Sequence, residues 1–156
     1  MIIRDACVKY IPELLRILSI VLEVHAAIRP DYFVSGHQKY DAKELVDIIN
    51  DDSKRIYVAM EDDDKMLGYA FCELKEVEPK PFVVPFKYLY LDDLCVDETV
   101  RGKNVASALF EHVKVKAKEL GCRDITLNVW EGNDRARAFY DKMGMKPLKT
   151  YMELSL

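Results

Sequence analysis

The sequence has no CxxC pair, no GxxxxGK[ST] phosphate loop, no GxGxxG dinucleotide fingerprint opening a helix, and no low-complexity tract. Its four cysteines, Cys7, Cys72, Cys95 and Cys122, stand far apart without metal-ligand spacing, so neither a disulfide scaffold nor a bound metal is expected. Positive charge is not in excess. Lys+Arg 23 against Asp+Glu 27 gives a net charge of −4, which speaks against a nucleic-acid partner. The longest apolar stretch, residues 14–28, is interrupted by Arg16, Glu23 and His25, too short and too charged for a membrane span. The opening Met1-Ile2-Ile3-Arg4-Asp5 lacks a signal-peptide pattern, so a reducing cytoplasm is the simplest location.

What is present is an ordinary globular balance. Hydrophobic residues make up 50% of the 156 and charged residues 32%, enough for one buried core, so a single domain over 1–156 is expected. Residues 2–4 read as a first strand and Pro12 opens a helix to about His25, broken at Arg29-Pro30. Asp41 with Glu44 three residues on makes a capping box for a second helix to about Ile49. Residues 55–60 and 66–77 read as strands joined by the acidic turn Asp62-Asp63-Asp64-Lys65, and 88–96 as another. Val105, Leu109, Val113, Ala117 and Leu120 recur at helical spacing, with Gly121 placed to end that helix. Ile125, Leu127 and Val129 alternate as a strand, 133–143 reads as a helix stopped by Gly144, and 151–156 as a last strand. Strand–helix–strand order over 88–129 implies an α/β fold with parallel pairing in its sheet. The first helix is apolar on more than one face, so it is either deeply buried or partly covered by a second subunit, as in a homodimer.

The informative stretch runs Leu94-Cys95-Val96-Asp97-Glu98-Thr99-Val100-Arg101-Gly102-Lys103-Asn104-Val105-Ala106. A strand ends, a small-residue turn carrying cations follows, and a long helix begins. Helix-opening N–H groups lack internal partners and sit at the positive end of the helix dipole, so a pyrophosphate can take them. The competing reading is an ordinary strand-to-helix turn with solvated cations.

Residues 96–106 resemble the R-x-x-G-x-G/A segment of the GNAT superfamily of N-acetyltransferases. Residues 127–130 with Asn133-Asp134-Arg135-Ala136-Arg137-Ala138-Phe139-Tyr140 resemble its next strand and N-x-x-A-x-x-x-Y helix, and Lys142-Met143-Gly144-Met145 its K-x-G-F ending. The resemblance implies a mixed, mostly antiparallel sheet of about six to seven strands. Helices cover both faces, and the fourth and fifth strands splay around the pantetheine arm. It implies acetyl-coenzyme A as cosubstrate, with the backbones of Leu94 and Val96 on the arm. Arg101, Gly102, Lys103, Asn104, Val105 and Ala106 would hold the pyrophosphate, with Asn133 on the arm's other side. Asn104 replaces a usual glycine; Asn is the non-glycine residue best able to take a left-handed backbone.

By the same resemblance Tyr140 is the general acid for the departing thiolate, and the Leu94 N–H holds the oxyanion. A tyrosine beside core Phe139 is otherwise a half-buried aromatic. The glutamate that several N-terminal acetyltransferases carry as base corresponds here to Asn128. Asp92 and Asp93 are the better candidates, since residues 91–96 resemble the L-E-D-L/F-x-V strand of diamine and polyamine acetyltransferases. Adjacent strand residues face opposite ways, so one carboxylate is expected in the site, and Asp92 is favoured. Two solvated carboxylates are the competing reading. His25 and Tyr32 fall on the acceptor-binding side, His25 as a gate, a base or a structural residue. Cys95 has no histidine at motif spacing, which favours direct attack. The expected reaction is acetylation of a small-molecule amine: a diamine, polyamine or amino acid derivative. A protein N-terminus or lysine as acceptor, and a non-catalytic acyl-coenzyme A sensor, are the alternatives.

Overall fold

Alternation along the strands sets the architecture of this computed structural model, which describes residues 1–61, 65–100 and 102–156. The acidic turn expected at Asp62, Asp63 and Asp64, and Arg101, lie outside the described residues. The strands are β1 Ile2–Asp5, β2 Lys54–Met60, β3 Met66–Val77, β4 Phe86–Val96 and β5 Asp124–Thr126. The helices are α1 Ile11–Ile28, α2 Ala42–Ile49, α3 Val105–Glu119 and α4 Asp134–Lys142, with single 3-10 turns at Val8–Tyr10 and Glu98–Val100. Pro12 sits in the first turn of α1, as its missing N–H allows. The capping box of α2 is complete: the Glu44 N–H donates to Asp41 Oδ1 at 2.8 Å, and the Asp41 N–H donates to Glu44 Oε2 at 2.7 Å.

The sheet runs β1-β2-β3-β4-β5, antiparallel at the first three junctions and parallel between β4 and β5. In β2, Ile56, Val58 and Met60 face a cluster with α1 and α2, while Tyr57 and Ala59 face a second cluster built on α3. Burial of β2 and β3 on both faces explains why the run from Met66 to Cys72 is almost continuously apolar. Helices therefore cover both faces. α1 buries Leu14, Ile17 and Leu18 fully, leaves Ile20, Val21 and Leu22 half-buried and Val24 exposed. Among the described residues no helix is long and apolar enough to cross a membrane.

Five strands form among the described residues, fewer than the six to seven expected. β5 stops at Thr126, where its ladder with β4 ends at Tyr90, so among the described residues Leu127 and Val129 have no ladder partner to complete a strand. Residues 151–156, expected as a last strand, carry no ladder either. Strand propensity is expressed only beside a neighbouring edge.

One glycine matters to the site. A Cβ on Gly68 would stand 2.6 Å from the Cys95 carbonyl oxygen, so only glycine lets β3 close on β4 where that strand ends.

Candidate functional site

β4 and β5 pair over three residues each, from Tyr88↔Asp124 to Tyr90↔Thr126. Beyond that point β4 continues for six residues, Leu91 to Val96, with no partner on the β5 side among the described residues. The ladder between the two strands thus ends short of the end of β4. Asn128 reaches back to β4, donating from Nδ2 to the Tyr90 hydroxyl at 3.1 Å.

The turn leaving β4 is built by Asp97, a buried carboxylate. The Thr99 N–H and hydroxyl donate to its Oδ1 at 2.8 and 2.7 Å, and Arg16 of α1 pairs with its Oδ2 at 2.6 Å. Burial alone would raise its pKa, but these donors and the guanidinium win and hold it at about 2. Gly102 (φ 86°) and Asn104 (φ 59°) then take left-handed backbones, Asn104 being the N-cap of α3. The Ala108 N–H donating to the Asn104 carbonyl at 2.9 Å starts the helical ladder. The N–H groups of Val105, Ala106 and Ser107 come before it, and space is open above Gly102. N–H groups at a helix start are donors an anion can take. Lys103 is exposed, 4.0 Å from Glu61, and Val105 is buried in the α3 cluster.

A β-bulge decides where the two aspartates point. Phe71 opposes Asp93 and Cys72 opposes Leu91, which leaves Asp92 as the extra residue. Leu89 and Leu91 before the bulge, and Leu94 and Val96 after it, all pack on the α3 side. The phase shifts by one residue, so Asp92 and Asp93 both fall on the α1–α2 side. This corrects the expectation that strand alternation would admit only one of them. Asp92 Oδ2 accepts from Lys39 Nζ at 2.7 Å and from the Tyr40 hydroxyl at 3.4 Å. Asp93 Oδ2 accepts from the buried Tyr69 hydroxyl at 2.8 Å.

The carboxyl of Asp93 is pushed up to about 6. Burial is the main cause; the positive charge of Lys39, the Tyr69 hydrogen bond and the Leu94 N–H pull it down, and the charge of Asp92 pushes it up. The N–H assigned to an oxyanion by resemblance, that of Leu94, thus faces the Asp93 carboxylate here.

Tyr140 lies on α4, its ring 6.1 Å from Phe110 of α3 and 5.2 Å from Phe139. That packing puts it on the same side of the sheet as the turn at residues 102–106. Burial first, then the negative charge of Asp93, raises its hydroxyl well above the usual tyrosine value, so it stays protonated. Asp93 and Tyr140 therefore flank β4 within electrostatic reach of each other. Asn133 caps α4, its Oδ1 accepting the Ala136 N–H at 3.2 Å. Tyr32 lies on Trp130 (5.1 Å), Phe33 meets Trp130 and His25 (both 5.3 Å), and the Arg29 guanidinium stands over Trp130. His25 is half-buried, its pKa lowered by burial and by Lys39. This aromatic group ties the loop after α1 to the loop before α4.

Four contributors were not legible as site residues: Tyr69, Lys39, Tyr40 and Arg16. Tyr69 reads as a core aromatic in an apolar strand, and Lys39-Tyr40 as solvated residues before a capping box. Asp97-x-Thr99 is a turn signature that local sequence does carry.

A model of the acetyltransferase (GNAT) family matches residues 21–145. The chain is 29% identical over 114 residues to the peptidyl-lysine N-acetyltransferase YjaB of Salmonella typhimurium; the match takes in 73% of this chain and spans 65% of that relative's length. A mutant of the BH1408 protein from Bacillus halodurans superposes with a TM-score of 0.96 at 33% identity, covering 100% of this chain and 99% of that one. An aminoglycoside acetyltransferase from an uncultured soil metagenomic sample, in complex with sisomicin, shares the fold at a TM-score of 0.71 and 14% identity, with 99% and 95% covered.

Proposed function

The chain belongs to the acetyltransferase (GNAT) family, and from that premise we propose that it transfers an acetyl group from acetyl-coenzyme A to a primary amine of a small cationic molecule. The observation that carries the reading is the pair Asp93 and Tyr140 on either side of β4 where β5 has left it. Acetyl-coenzyme A, when bound, supplies the activated acetyl group as a thioester. The turn from Gly102 to Ser107 holds the diphosphate through backbone N–H groups, and Lys103 adds charge.

Asp93 takes a proton from the acceptor ammonium, leaving the neutral amine that attacks the thioester. Its carboxyl near 6 is ionised at neutral pH yet a stronger base than an ordinary aspartate. Asp92, engaged by Lys39, sets the charge around the acceptor rather than moving the proton. Tyr140, protonated in its buried setting, would give its proton to the departing thiolate and be reprotonated by the proton the attacking nitrogen releases as the amide forms. The aromatic group of Tyr32, Phe33 and Trp130 flanks the acceptor side, with Arg29 already held over Tyr32 and Trp130. A peptide lysine is the second reading, supported by the similarity to a peptidyl-lysine acetyltransferase.

Thiol release from acetyl-coenzyme A against diamines, polyamines, amino acid derivatives and lysine peptides tests this. We expect turnover with the small amines and a loss of about 10²–10⁴-fold in Tyr140→Phe, with coenzyme binding unchanged. Preference for peptides would replace the acceptor, and no turnover with any amine would leave a binding protein.

A further inference from the structure

An ammonium of the chain itself already stands between the carboxylates of the acceptor side. Lys39 Nζ lies 2.7 Å from Asp92 Oδ2, the two side chains being 38% and 32% exposed. The same ammonium sits 5.3 Å from the ring centre of Tyr40, which stacks on Phe71 at 5.9 Å and donates its hydroxyl to Asp92 at 3.4 Å. The backbone carrying Lys39 is fastened on both sides. Glu23 of α1 accepts from the Ser35 hydroxyl at 2.6 Å and the Gly36 N–H at 2.7 Å, and Asp41 caps α2 two residues on. A cavity of about 90 Å³ adjoins the group, lined in part by Asp92, Tyr40, Phe71, Lys54 and Glu73, with room for a small polar group.

The charges around this cavity cancel in pairs. Glu73 is matched by Lys75 at 3.4 Å, Lys54 by Asp51 at 3.9 Å and Asp92 by Lys39. His25, lowered by burial and by Lys39, stays neutral at ordinary pH. Among the described residues that leaves the buried Asp93, with its carboxyl near 6, as the ionised group without an ion pair.

We propose that Lys39 supplies the second cation of this site from within the chain and so selects acceptors with a single positive charge over diamines and polyamines. The inference rests on the acetyl-transfer reading of Asp93 and narrows its acceptor to a monoamine; a lysine side chain, with one ammonium, meets the same restriction. One acceptor ammonium balances Asp93, and none is left for it to share with Asp92. A second ammonium beside Asp92 must either lie against Lys39 as a like charge or displace it. Displacement is opposed because Lys39, tethered next to Asp92, competes at high effective concentration. Selection therefore comes from a repulsive element as much as from an attractive one.

Calorimetry with coenzyme A present, and thiol release from acetyl-coenzyme A, test it on the full chain with putrescine and n-pentylamine. These probes differ only in an ammonium or a methyl group at the far end. The parent should bind n-pentylamine at least as tightly as putrescine. In Lys39→Met the affinity ratio of putrescine to n-pentylamine should rise at least about tenfold, while Lys39→Arg keeps the parent's ratio. In an Asp92→Asn background the Lys39→Met change should move the ratio at least about threefold less, because the carboxylate a second ammonium would take is gone. A merely loosened loop would act alike in both backgrounds. A parent that prefers putrescine or binds neither amine, or a ratio unmoved by Lys39→Met, overturns the inference. Thiol release with an unmoved ratio strikes the role of Lys39 alone. Ratios that shift as expected while no amine releases thiol keep the charge selection and strike the acetyl-transfer reading.

Discussion

The hydroxyl of Tyr69, a side chain with no exposed surface, donates to Asp93 Oδ2 at 2.8 Å. Burial raises the Asp93 carboxyl, and this bond is among the forces restraining the rise by stabilising the charged form. Tyr69→Phe removes the donor without opening a cavity. The acidic limb of the kcat/KM profile should then move up by about one pH unit, with the plateau above pH 8 nearly retained. A limb that stays in place would make Tyr69 a packing residue alone.

Asp93→Asn should cut turnover by about 10²–10⁴-fold and abolish the acidic limb near pH 6, while Asp92→Asn keeps the limb. The reverse pattern would move the base to Asp92.

The same substitution has a stability signature of definite sign. The folded carboxyl titrates near 6, above the ordinary value of about 3.9, so the folded state holds its proton more tightly. That contribution is complete below pH 4 and is lost as pH rises through 6. Near pH 7 Asp93→Asn should therefore gain on the order of 1–3 kcal/mol, seen in the urea midpoint, and show a smaller gain at pH 4. A variant less stable at pH 7 than at pH 4, relative to the parent, would contradict burial as the main cause.

How far the sequence reached follows from where its signals are local. The capping box at Asp41 and Glu44, Gly121 beyond α3 and the left-handed Asn104 were legible because a few adjacent residues determine each of them. The bulge at Asp92 was not, since it depends on register against Phe71 and Cys72, some twenty residues away. Tyr69 and Arg16 escaped for the same reason: their partners, Asp93 and Asp97, are distant in sequence. Strand propensity at 151–156 was readable, but propensity does not supply an edge to pair with.

Asn104 holds φ 59° without a side-chain cap bond, so its left-handed backbone rests on the residue's own tolerance. Asn104→Gly keeps that backbone and clears the turn, and should tighten coenzyme A binding severalfold in calorimetry. Asn104→Val should lose about 1–2 kcal/mol of stability and bind more weakly. Weaker binding by the glycine variant would mean that the Asn104 side chain itself contacts the ligand.

Arg16 reaches from α1 to the buried Asp97 that shapes the turn before α3, while Glu13 holds the guanidinium from its other side at 2.9 Å. Arg16→Ala leaves Asp97 its two Thr99 donors but removes its cation. In the parent the depressed carboxyl, near 2, contributes stability that is present above about pH 4 and lost as pH falls toward 2. Without Arg16 the carboxyl rises, so that contribution shrinks and acid unfolding begins at higher pH. The cost at pH 7 should be about 1–3 kcal/mol in urea denaturation. Because Asp97 orders the residues leading to Gly102, coenzyme A affinity should fall even at temperatures where the variant is fully folded. Turnover at saturating coenzyme should hold, since Asp93 and Tyr140 are untouched. Lost stability with unchanged coenzyme affinity would confine Arg16 to fastening α1 onto the sheet.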